Sequence, residues 1–591
     1  MNKIRFRCPK CKNMLENNYS CKICNNKNYN YEDYFDFLEK KHIKNSSDKT
    51  IGILNQIKTY SYTNGIMRFL KENPEYTSRF NKMEGSISFR ATSKNNSKCL
   101  VINSDFGNIP EFLSDIFDQV YSLELDVDKI HIQKNRFDSK NIKNIVLLRA
   151  KFHELPFEEE FFDLIVSDGI NFDEGNNDHK TIKNNIDEVK RVLGKEGCYC
   201  LSVPNKNKLQ DYRNKSLIKD NNLLCTNFQD YITILNPFWK YIKPYWVLPS
   251  HKIPHHSGEI NNNSSKWFIE NFDKKFSVDK KWKFVGKILK NLPIKNFAVK
   301  FFFPSFTFYC YKENLPISIE EKIKNETNFK TVIQNSRLHK INYILINDSG
   351  EAKKIVSCKI TKYNLLEKIN QVKRIFPNMK DPDEKIIIDD WVSGEFLDIS
   401  NEDDIRLTLE WLKQFQNETR SDWLDFEEIQ KEVNIIKTKL SKYESVSALP
   451  YVKWLEEYVQ YMKNIKLKKT GVHGDFQIQN IIVNRERKSL NIIDWDWRFE
   501  EKGNPFYDFI WFTINMMASS NNKDEEFSNL AKYGETSDTI KIITNFMNRF
   551  FQIDLNFVVL IRFMILRFIT FKEPRDSGIF YYINLLKIMN I

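Results

Sequence analysis

The sequence has no hydrophobic run long enough to cross a bilayer. Its most apolar late segment, residues 557–571, is short and is interrupted by Arg562 and Arg567, which predicts a buried helix and no membrane-spanning segment. The opening residues 1–13 lack the apolar stretch of a secretory signal, so we expect a cytoplasmic protein in a reducing compartment.

Concentrated charge of one sign is also lacking. The 90 Lys+Arg residues against 78 Asp+Glu residues give a net charge of +12, but no block of five or more like charges occurs. On this ground we do not expect nucleic acid as a partner. The length of 591 residues, with 41% hydrophobic and 14% aromatic residues, excludes a disordered chain and indicates several domains.

Four of the ten cysteines fall in the first 24 residues. They form two CxxC pairs, Cys8 with Cys11 and Cys21 with Cys24, which is the spacing of a four-thiolate structural zinc site. Two disulfides are the alternative, which a reducing compartment disfavours. Residues 1–40 are thus predicted to form a zinc ribbon. The other six cysteines lie in apolar runs and are expected to be core thiols.

Short apolar runs alternate with helical patterns from residue 99 onward, after a polar stretch at 41–56 that we interpret as a linker. This alternation predicts a doubly wound, Rossmann-like α/β sheet of parallel strands. The predicted strands cover residues 99–103, 120–126, 144–150, 162–169 and 198–205, with closing strands at 300–312.

The second half of this α/β segment carries a distinctive series of motifs: HELPFEEEFFD (153–163), FFDLIVSDG (161–169) and IDEVKRVLGKEG (186–197). In these motifs the chain resembles class I S-adenosylmethionine-dependent methyltransferases of the type 11 kind. The resemblance implies a methyltransferase-like domain over residues 55–312. The ribbon is similar to small zinc ribbons fused before some methyltransferases.

The resemblance also implies where S-adenosylmethionine would bind. Gly107 ends the turn after the first strand, and Glu124 is the acid expected to bind the ribose hydroxyls. The turn reads Asn-Ser-Asp-Phe-Gly over 103–107, where the family has GxGxG, so a degenerate site that no longer uses the cofactor is an alternative. Three histidines are candidates for a general base or metal ligands: His251, His255 and His256.

The C-terminal half contains the segment VHGDFQIQNIIVNRERKSLNIIDWDW (472–497). Phosphoryl transfer needs a carboxylate that orients the attacking hydroxyl and oxygen ligands that hold Mg²⁺. Asp475 suits the first role as the catalytic residue. Asn480 and Asp494 suit the second, because a hairpin between them would bring both to the same end, and His473 would brace the loop.

This segment resembles the aminoglycoside phosphotransferase/choline kinase family, whose HGDxxxxN loop appears as HGDFQIQN and whose metal motif appears as IDWD (493–496). The resemblance implies ATP and Mg²⁺ as cofactors and an α+β bilobal, protein-kinase-like domain, with an N-lobe at 315–400 and a helical C-lobe at 401–591. It also implies that Lys359 grips the nucleotide phosphates with Glu367 as its helix partner. The nucleotide-covering loop, QNSRLHKINYIL, contains no glycine.

The sequence as a whole predicts a multidomain, bifunctional transferase: a kinase for a hydroxyl on a small molecule or glycan, joined to a methyltransferase. Fusion would raise the effective concentration of one product at the next site, as in surface-polysaccharide capping or secondary metabolism. Two alternatives remain open. One is a kinase with a binding module that no longer uses S-adenosylmethionine, and the other is an RNA-modifying methyltransferase.

Overall fold

The protein is represented by a computed structural model that forms two compact units. The first unit comprises residues 1–361 and 385–391, and the second comprises residues 362–384 and 392–591. The structure describes residues 6–24, 29–31, 33–38, 46–73, 76–80, 97–169, 179–206, 226–250, 253–275, 299–301, 303–315, 324, 331–337, 340–346, 352–359, 386–390, 395–441, 443, 446, 449–485, 488–493, 500–520, 522–534, 536–571 and 577–590.

One mixed sheet runs through the first unit, in the order β1-β4-β3-β2-β5-β6-β9-β7-β8-β10-β11-β12-β13. Its strands are β1 (Phe35–Asp36), β2 (Lys98–Ile102), β3 (Gln119–Leu123), β4 (Ile145–Arg149), β5 (Phe162–Asp168), β6 (Leu193–Pro204), β7 (Tyr241–Ser250), β8 (Ile253–Glu259), β9 (Ser305–Tyr311), β10 (Thr331–Arg337), β11 (Lys340–Ile346), β12 (Ala352–Lys359) and β13 (Ile386–Asp390).

The parallel core of this sheet confirms the predicted doubly wound arrangement. Strands β2 to β6 pair in parallel, and the strand order reverses between β2 and β5. Strand β9 then runs antiparallel to both β6 and β7. In open α/β sheets the ligand crevice lies at the carboxyl ends of the strands where the order reverses, which places the candidate site at the turn that follows β2.

Helices connect the strands of the first unit. They are α1 (Asp48–Glu72), α2 (Thr77–Phe80), α3 (Asn108–Leu113), α4 (Val127–Ser139), α5 (His179–Val192), α6 (Phe228–Leu235) and α7 (Asn262–Lys275). The predicted linker at 41–56 is wrong in its second half, because α1 begins inside it with the Ser47 hydroxyl accepting a hydrogen bond from the Thr50 amide. A good N-cap outweighed the polar composition there.

The cysteine-rich segment is joined to the sheet by main-chain pairing. Strand β1 pairs in parallel with β4, and the Arg7 amide donates to the Pro156 carbonyl at 3.0 Å. The fully buried Phe6 ring packs against the rings of Phe37 and Phe157, with centroids 5.1 and 5.6 Å away. The ribbon segment is therefore an edge of the sheet and shares its core.

At the edge opposite β1, the sheet continues beyond strands β2 to β9. Strand β10 pairs antiparallel with β8, and β10 to β13 form an antiparallel series. Strands β11 and β12 form a hairpin within this series. The strands that the kinase resemblance assigned to an N-lobe are thus continuous with the first unit's sheet, while the domain boundary near 315 stays a prediction.

The second unit is mainly helical. Its helices are α8 (Glu402–Glu418), α9 (Phe426–Leu440), α10 (Tyr451–Met462), α11 (Phe506–Ser519), α12 (Lys523–Tyr533), α13 (Asp538–Phe551), α14 (Phe557–Ile569) and α15 (Ser577–Ile588), with a 3₁₀ turn at Ile478–Asn480. Its strands are β14 (Glu395–Phe396), β15 (Thr470–Val472), β16 (Ile481–Asn484), β17 (Ser489–Ile492) and β18 (Glu500–Gly503).

The predicted hairpin at 480–495 is confirmed as β16 and β17. The helical lobe expected at 401–591 also contains a second pair of strands, because β15 and β18 pair antiparallel. Strands β15 and β18 are very short and lie far apart in sequence, so no local sequence pattern predicts their pairing.

Helix α14 is buried, as its apolar sequence predicted. Its Arg567 side chain is only 5% exposed and pairs with Glu432 at 2.6 Å and Glu500 at 2.5 Å. A buried cation with two carboxylate partners avoids the cost of an unpaired charge. Within the described part of the chain, no helix combines the length and apolarity needed to cross a membrane.

Candidate functional sites

The turn after β2 comprises residues 103–107 and is called the β2 turn below. It keeps the backbone conformation of a glycine-rich turn, although only Gly107 among its residues is a glycine. Asn103, Asp105 and Gly107 all adopt left-handed conformations, with φ of 57°, 49° and 82°. These are the three positions that glycines occupy in the GxGxG pattern. Asparagine and aspartate tolerate positive φ better than other residues with a Cβ. The chain therefore retains the shape of the turn while changing the side chains that line it.

Glu124 lies directly after β3 and is 5% exposed. Its Oε2 accepts a hydrogen bond from the Asp105 amide at 3.0 Å, and its Oε1 accepts from the amides of Leu125 and Asp126 at 2.9 and 3.3 Å. Burial raises the pKa of this carboxyl above its ordinary value, while the nearby Lys129 ammonium lowers it. Glu124 thus connects the β2 turn to the end of β3.

The side chain of Asp105 is held by two cations. Arg79 Nε and Lys129 Nζ each lie 2.9 Å from one of its carboxylate oxygens. Phe106 stacks on Phe80, with ring centroids 4.7 Å apart. Helix α2 therefore covers the β2 turn through both an ion pair and an aromatic contact.

These residues fit an adenosyl cofactor in part. The left-handed turn would let the backbone approach the cofactor closely, and the buried acid after the next strand would bind the ribose hydroxyls. A carboxylate offers about four acceptor positions, and three of those of Glu124 already bind amides. The site can therefore accept a ribose hydroxyl at Glu124, but with less free capacity than an acid facing open solvent.

The structure does not place the described candidate histidines at this turn. His251 lies outside them. His255 and His256 are on β8, which lies beyond β9 and β7 in the strand order, and His256 is opposite Asn335 of β10. Their proposed roles as general bases or metal ligands stay predictions.

In the second unit, the loop that carries His473 and Asp475 is anchored by a buried carboxylate. Asp508, at the start of α11, accepts hydrogen bonds from the amides of His473 and Gly474 at 2.7 and 2.9 Å. The His473 ring contacts the Ile493 carbonyl through Nε2 at 3.1 Å and accepts from the Asp475 amide through Nδ1 at 3.2 Å. His473 braces the loop, as predicted.

Asp475 and Asn480 are close together in this loop. The Asn480 Nδ2 donates to the Asp475 carbonyl at 2.9 Å, and the Asp475 carboxylate accepts from Gln477 at 3.3 Å. Asn480 is 1% exposed, and its Oδ1 has no hydrogen-bond partner among the described residues. A buried amide oxygen left open in this way fits a metal ligand.

The other predicted nucleotide-binding residues are less defined. Asp494 and Glu367 lie outside the described residues. Lys359 is the last residue of β12, where it pairs with Lys340 of β11. Lys359 belongs to the first unit, whereas Asp475 and Asn480 belong to the second, so their convergence on one nucleotide stays a prediction.

The four N-terminal cysteines form a compact cluster. The Sγ atoms of Cys8, Cys11, Cys21 and Cys24 all lie within 4.8 Å of one another. The Cys8–Cys24 and Cys11–Cys21 sulfur distances are 3.9 and 3.4 Å. Tetrahedral zinc with Zn–S bonds of about 2.3 Å requires sulfurs roughly 3.8 Å apart, whereas a disulfide needs about 2.05 Å. All four are free thiols, and the cluster fits zinc.

Sequence reasoning missed the residues of α4 that contact the β2 turn. Lys129, Gln133 and Arg136 contact Asp105, the Ser104 hydroxyl and the Phe106 carbonyl. Their i, i+4 and i+7 spacing places them on one helix face, which is a signal that could have been used. From the sequence alone, polar residues on one helix face indicate a face exposed to solvent. Only the tertiary structure shows that these residues pack against the β2 turn.

Comparison with protein families supports the methyltransferase part of the chain. Residues 104–201 match the family described as "Methyltransferase domain", a range that includes Glu124, strands β3 to β5 and the β2 turn from Ser104 onward. The chain therefore contains a methyltransferase domain. No curated protein matches the chain.

Solved structures similar to the chain include the YcgJ protein from Bacillus subtilis, at 13% identity over 38% of this chain and 95% of that chain, with a TM-score of 0.24. Another is the phosphoethanolamine N-methyltransferase 2 of Haemonchus contortus, bound to phosphomonomethylethanolamine and S-adenosylhomocysteine. It shows 12% identity over 44% of this chain and 60% of that chain, with a TM-score of 0.25. Likeness of this degree carries no argument about substrate.

We expect the protein to carry about one zinc ion per chain, since the described residues contain one four-thiolate cluster. Replacing Cys11 and Cys24 together by serine should abolish zinc content and lower the melting temperature, because the ribbon is an edge of the sheet. Metal analysis by mass spectrometry checks this. Cys99→Ala, at a buried thiol outside the cluster, should keep the zinc, and equal zinc in all three proteins would contradict the assignment.

Asp508 should make stability depend on pH. Burial raises the pKa of this carboxyl to about 7, against the lowering effect of its two amide hydrogen bonds. Between about pH 4 and 7 the folded chain then holds a proton that the unfolded chain has released, so the free energy of unfolding falls as pH rises through this window. Asp508→Asn, which cannot ionise, should flatten that fall in urea unfolding of the second unit. Parallel pH profiles for the two proteins would show the assignment to be wrong.

Proposed function

We propose that the chain is a bifunctional transferase. In this proposal the first unit transfers a methyl group from S-adenosylmethionine, and the second unit uses Mg²⁺–ATP to phosphorylate a hydroxyl group. The observation that carries the methyltransferase half is the left-handed backbone at Asn103, Asp105 and Gly107 beside the buried Glu124. Asp105, Gly107 and Glu124 lie within the residues that match the methyltransferase family.

The first unit's residues support cofactor binding through position. Glu124 lies at the end of β3, where it can accept a ribose hydroxyl, and the backbone of the β2 turn can approach the cofactor closely. When bound, S-adenosylmethionine supplies an already activated methyl group. The protein's contribution is then to align the acceptor with it and to exclude water, and a base is needed only where the acceptor must lose a proton.

One observation favours a different role for the same unit. Glu124 already accepts three amide hydrogen bonds, and Asp105 is neutralised by Arg79 and Lys129. A site so fully occupied by its own contacts also suits a binding module that no longer uses the cofactor. Measured binding of S-adenosylhomocysteine separates the two roles.

Support for the phosphotransferase half comes from the loop around Asp475. Asp508 fixes the backbone of this loop, so the Asp475 carboxylate is held where it could orient an acceptor hydroxyl. The open Oδ1 of Asn480 and the carboxylate of Asp494 would hold the metal that neutralises the phosphates. The acceptor is proposed as a small molecule or a glycan end, which the resemblance to the aminoglycoside phosphotransferase/choline kinase family suggests.

The methyltransferase half is tested with Glu124→Gln, which keeps the size and one acceptor oxygen but removes the charge. S-adenosylhomocysteine binding, measured by calorimetry, should weaken by roughly tenfold or more because a charge-assisted hydrogen bond is lost. Glu159→Gln, at an exposed position, should bind as the wild type does. If the wild-type chain fails to bind at millimolar ligand, the cofactor assignment falls and the binding-module role stands.

The phosphotransferase half is tested with labelled ATP and a panel of amino alcohols, sugars, aminoglycosides and oligosaccharides. Asp475→Asn should lower phosphorylation of the best acceptor by about 10²–10⁴-fold, since the group that orients the hydroxyl is lost. Asp422→Asn, which removes an exposed carboxylate paired with Lys502, should leave the rate unchanged. An equal loss in both variants, or no transfer to any acceptor, would refute the assignment.

A further inference from the structure

One face of helix α4 grips the β2 turn at successive points. Lys129 pairs with the Asp105 carboxylate at 2.9 Å. One turn later, Gln133 Nε2 donates to the Asp105 carbonyl at 2.7 Å and to the Ser104 hydroxyl at 2.9 Å. Arg136 Nη1 then donates to the Phe106 carbonyl at 3.1 Å. These contacts follow the turn residue by residue.

Gln133 is the central contact of this face. It is fully buried, with 0% exposure. Besides its two donated bonds, its Oε1 accepts from the Ser122 hydroxyl of β3 at 2.7 Å. A buried primary amide with donors and acceptor all satisfied is rigidly oriented. The Asp105 carbonyl that it binds belongs to a residue with positive φ.

Arg136 also connects this face of α4 to the neighbouring helices α2 and α3. It is also fully buried, and it pairs with Glu111 of α3 at 2.5 Å and donates to the Phe80 carbonyl of α2 at 2.9 Å. The Phe106 carbonyl that it binds lies between Asp105 and Gly107, both at positive φ. The guanidinium thus fixes the turn, the helix that follows it and the helix that covers it.

We propose that Lys129, Gln133 and Arg136 are positioning residues that compensate for the missing glycine at position 105 of the cofactor turn. Glycine would adopt the left-handed conformation without cost, whereas Asn103 and Asp105 adopt it against a steric penalty. Hydrogen bonds from α4 to the carbonyls of Asp105 and Phe106 hold the turn in that conformation. The relevance of this to ligand binding rests on the proposed methyltransferase function.

The positioning role makes a prediction that a general role in packing does not. If Gln133 acts by holding a reluctant residue at positive φ, its removal should matter less when that residue is glycine. If Gln133 only fills the core, its removal should cost the same whatever residue occupies position 105. Coupling of this kind between contacting residues is measured by a double-mutant cycle.

The test uses Gln133→Met in the full chain, combined with either Asp105→Gly or Asp105→Asn. Both changes at Asp105 remove its charge and its ion pairs with Arg79 and Lys129, but only glycine removes the penalty at positive φ. Binding of S-adenosylhomocysteine is measured by calorimetry, and the urea midpoint of the first unit is measured without ligand. Asn135→Ala, an exposed change on the same helix, is the control for helix propensity.

We expect Gln133→Met to weaken binding by about tenfold in the native and Asp105→Asn backgrounds, and by less than about threefold in the Asp105→Gly background. The urea midpoint should follow the same pattern. An equal loss in the glycine and asparagine backgrounds would overturn the proposal. If the wild-type chain binds no S-adenosylhomocysteine, the methyltransferase proposal fails, and the urea midpoints alone then support or overturn the positioning role.

Discussion

Main-chain hydrogen bonding across one sheet is the constraint on which the first unit depends. Buried backbone groups must be paired, and here that pairing joins strand β1 of the cysteine-rich segment, strands β2 to β9 and the antiparallel strands β10 to β13. Several residues with proposed chemical roles lie at the ends of its strands. The β2 turn follows β2, Glu124 follows β3, and Lys359 ends β12.

Buried carboxylates in both units bind backbone amides. Glu124 accepts one amide of the turn after β2 and two from the residues that follow it, and Asp508 accepts two in the loop before Asp475. In each unit the carboxylate comes from a different element than the loop or turn it holds. An amide bound in this way cannot move without leaving a buried carboxyl group short of a hydrogen bond, so both loops are fixed from outside their own sequence.

Much of the fold was predictable because its signals are local. The parallel strands, the buried helix at 557–569 and the hairpins at β11–β12 and β16–β17 follow from apolar runs and turn residues. The start of α1 and the pairing of β15 with β18 were not predicted, since a single N-cap serine and a three-residue strand give too little pattern. In the candidate sites, the cysteine spacing and the His473–Asp475–Asn480 loop were identified from residue type and spacing.

The sequence by itself determined the chemistry that is available: four thiols with zinc spacing, an acid after the second parallel strand, and an aspartate and asparagine in one loop. The tertiary structure alone decided how a turn with one glycine keeps its left-handed backbone. The reason is physical. The residues that hold the turn lie on helix α4, and their polar side chains bind its carbonyls only after the helix packs on the sheet, so neither segment's sequence contains that information.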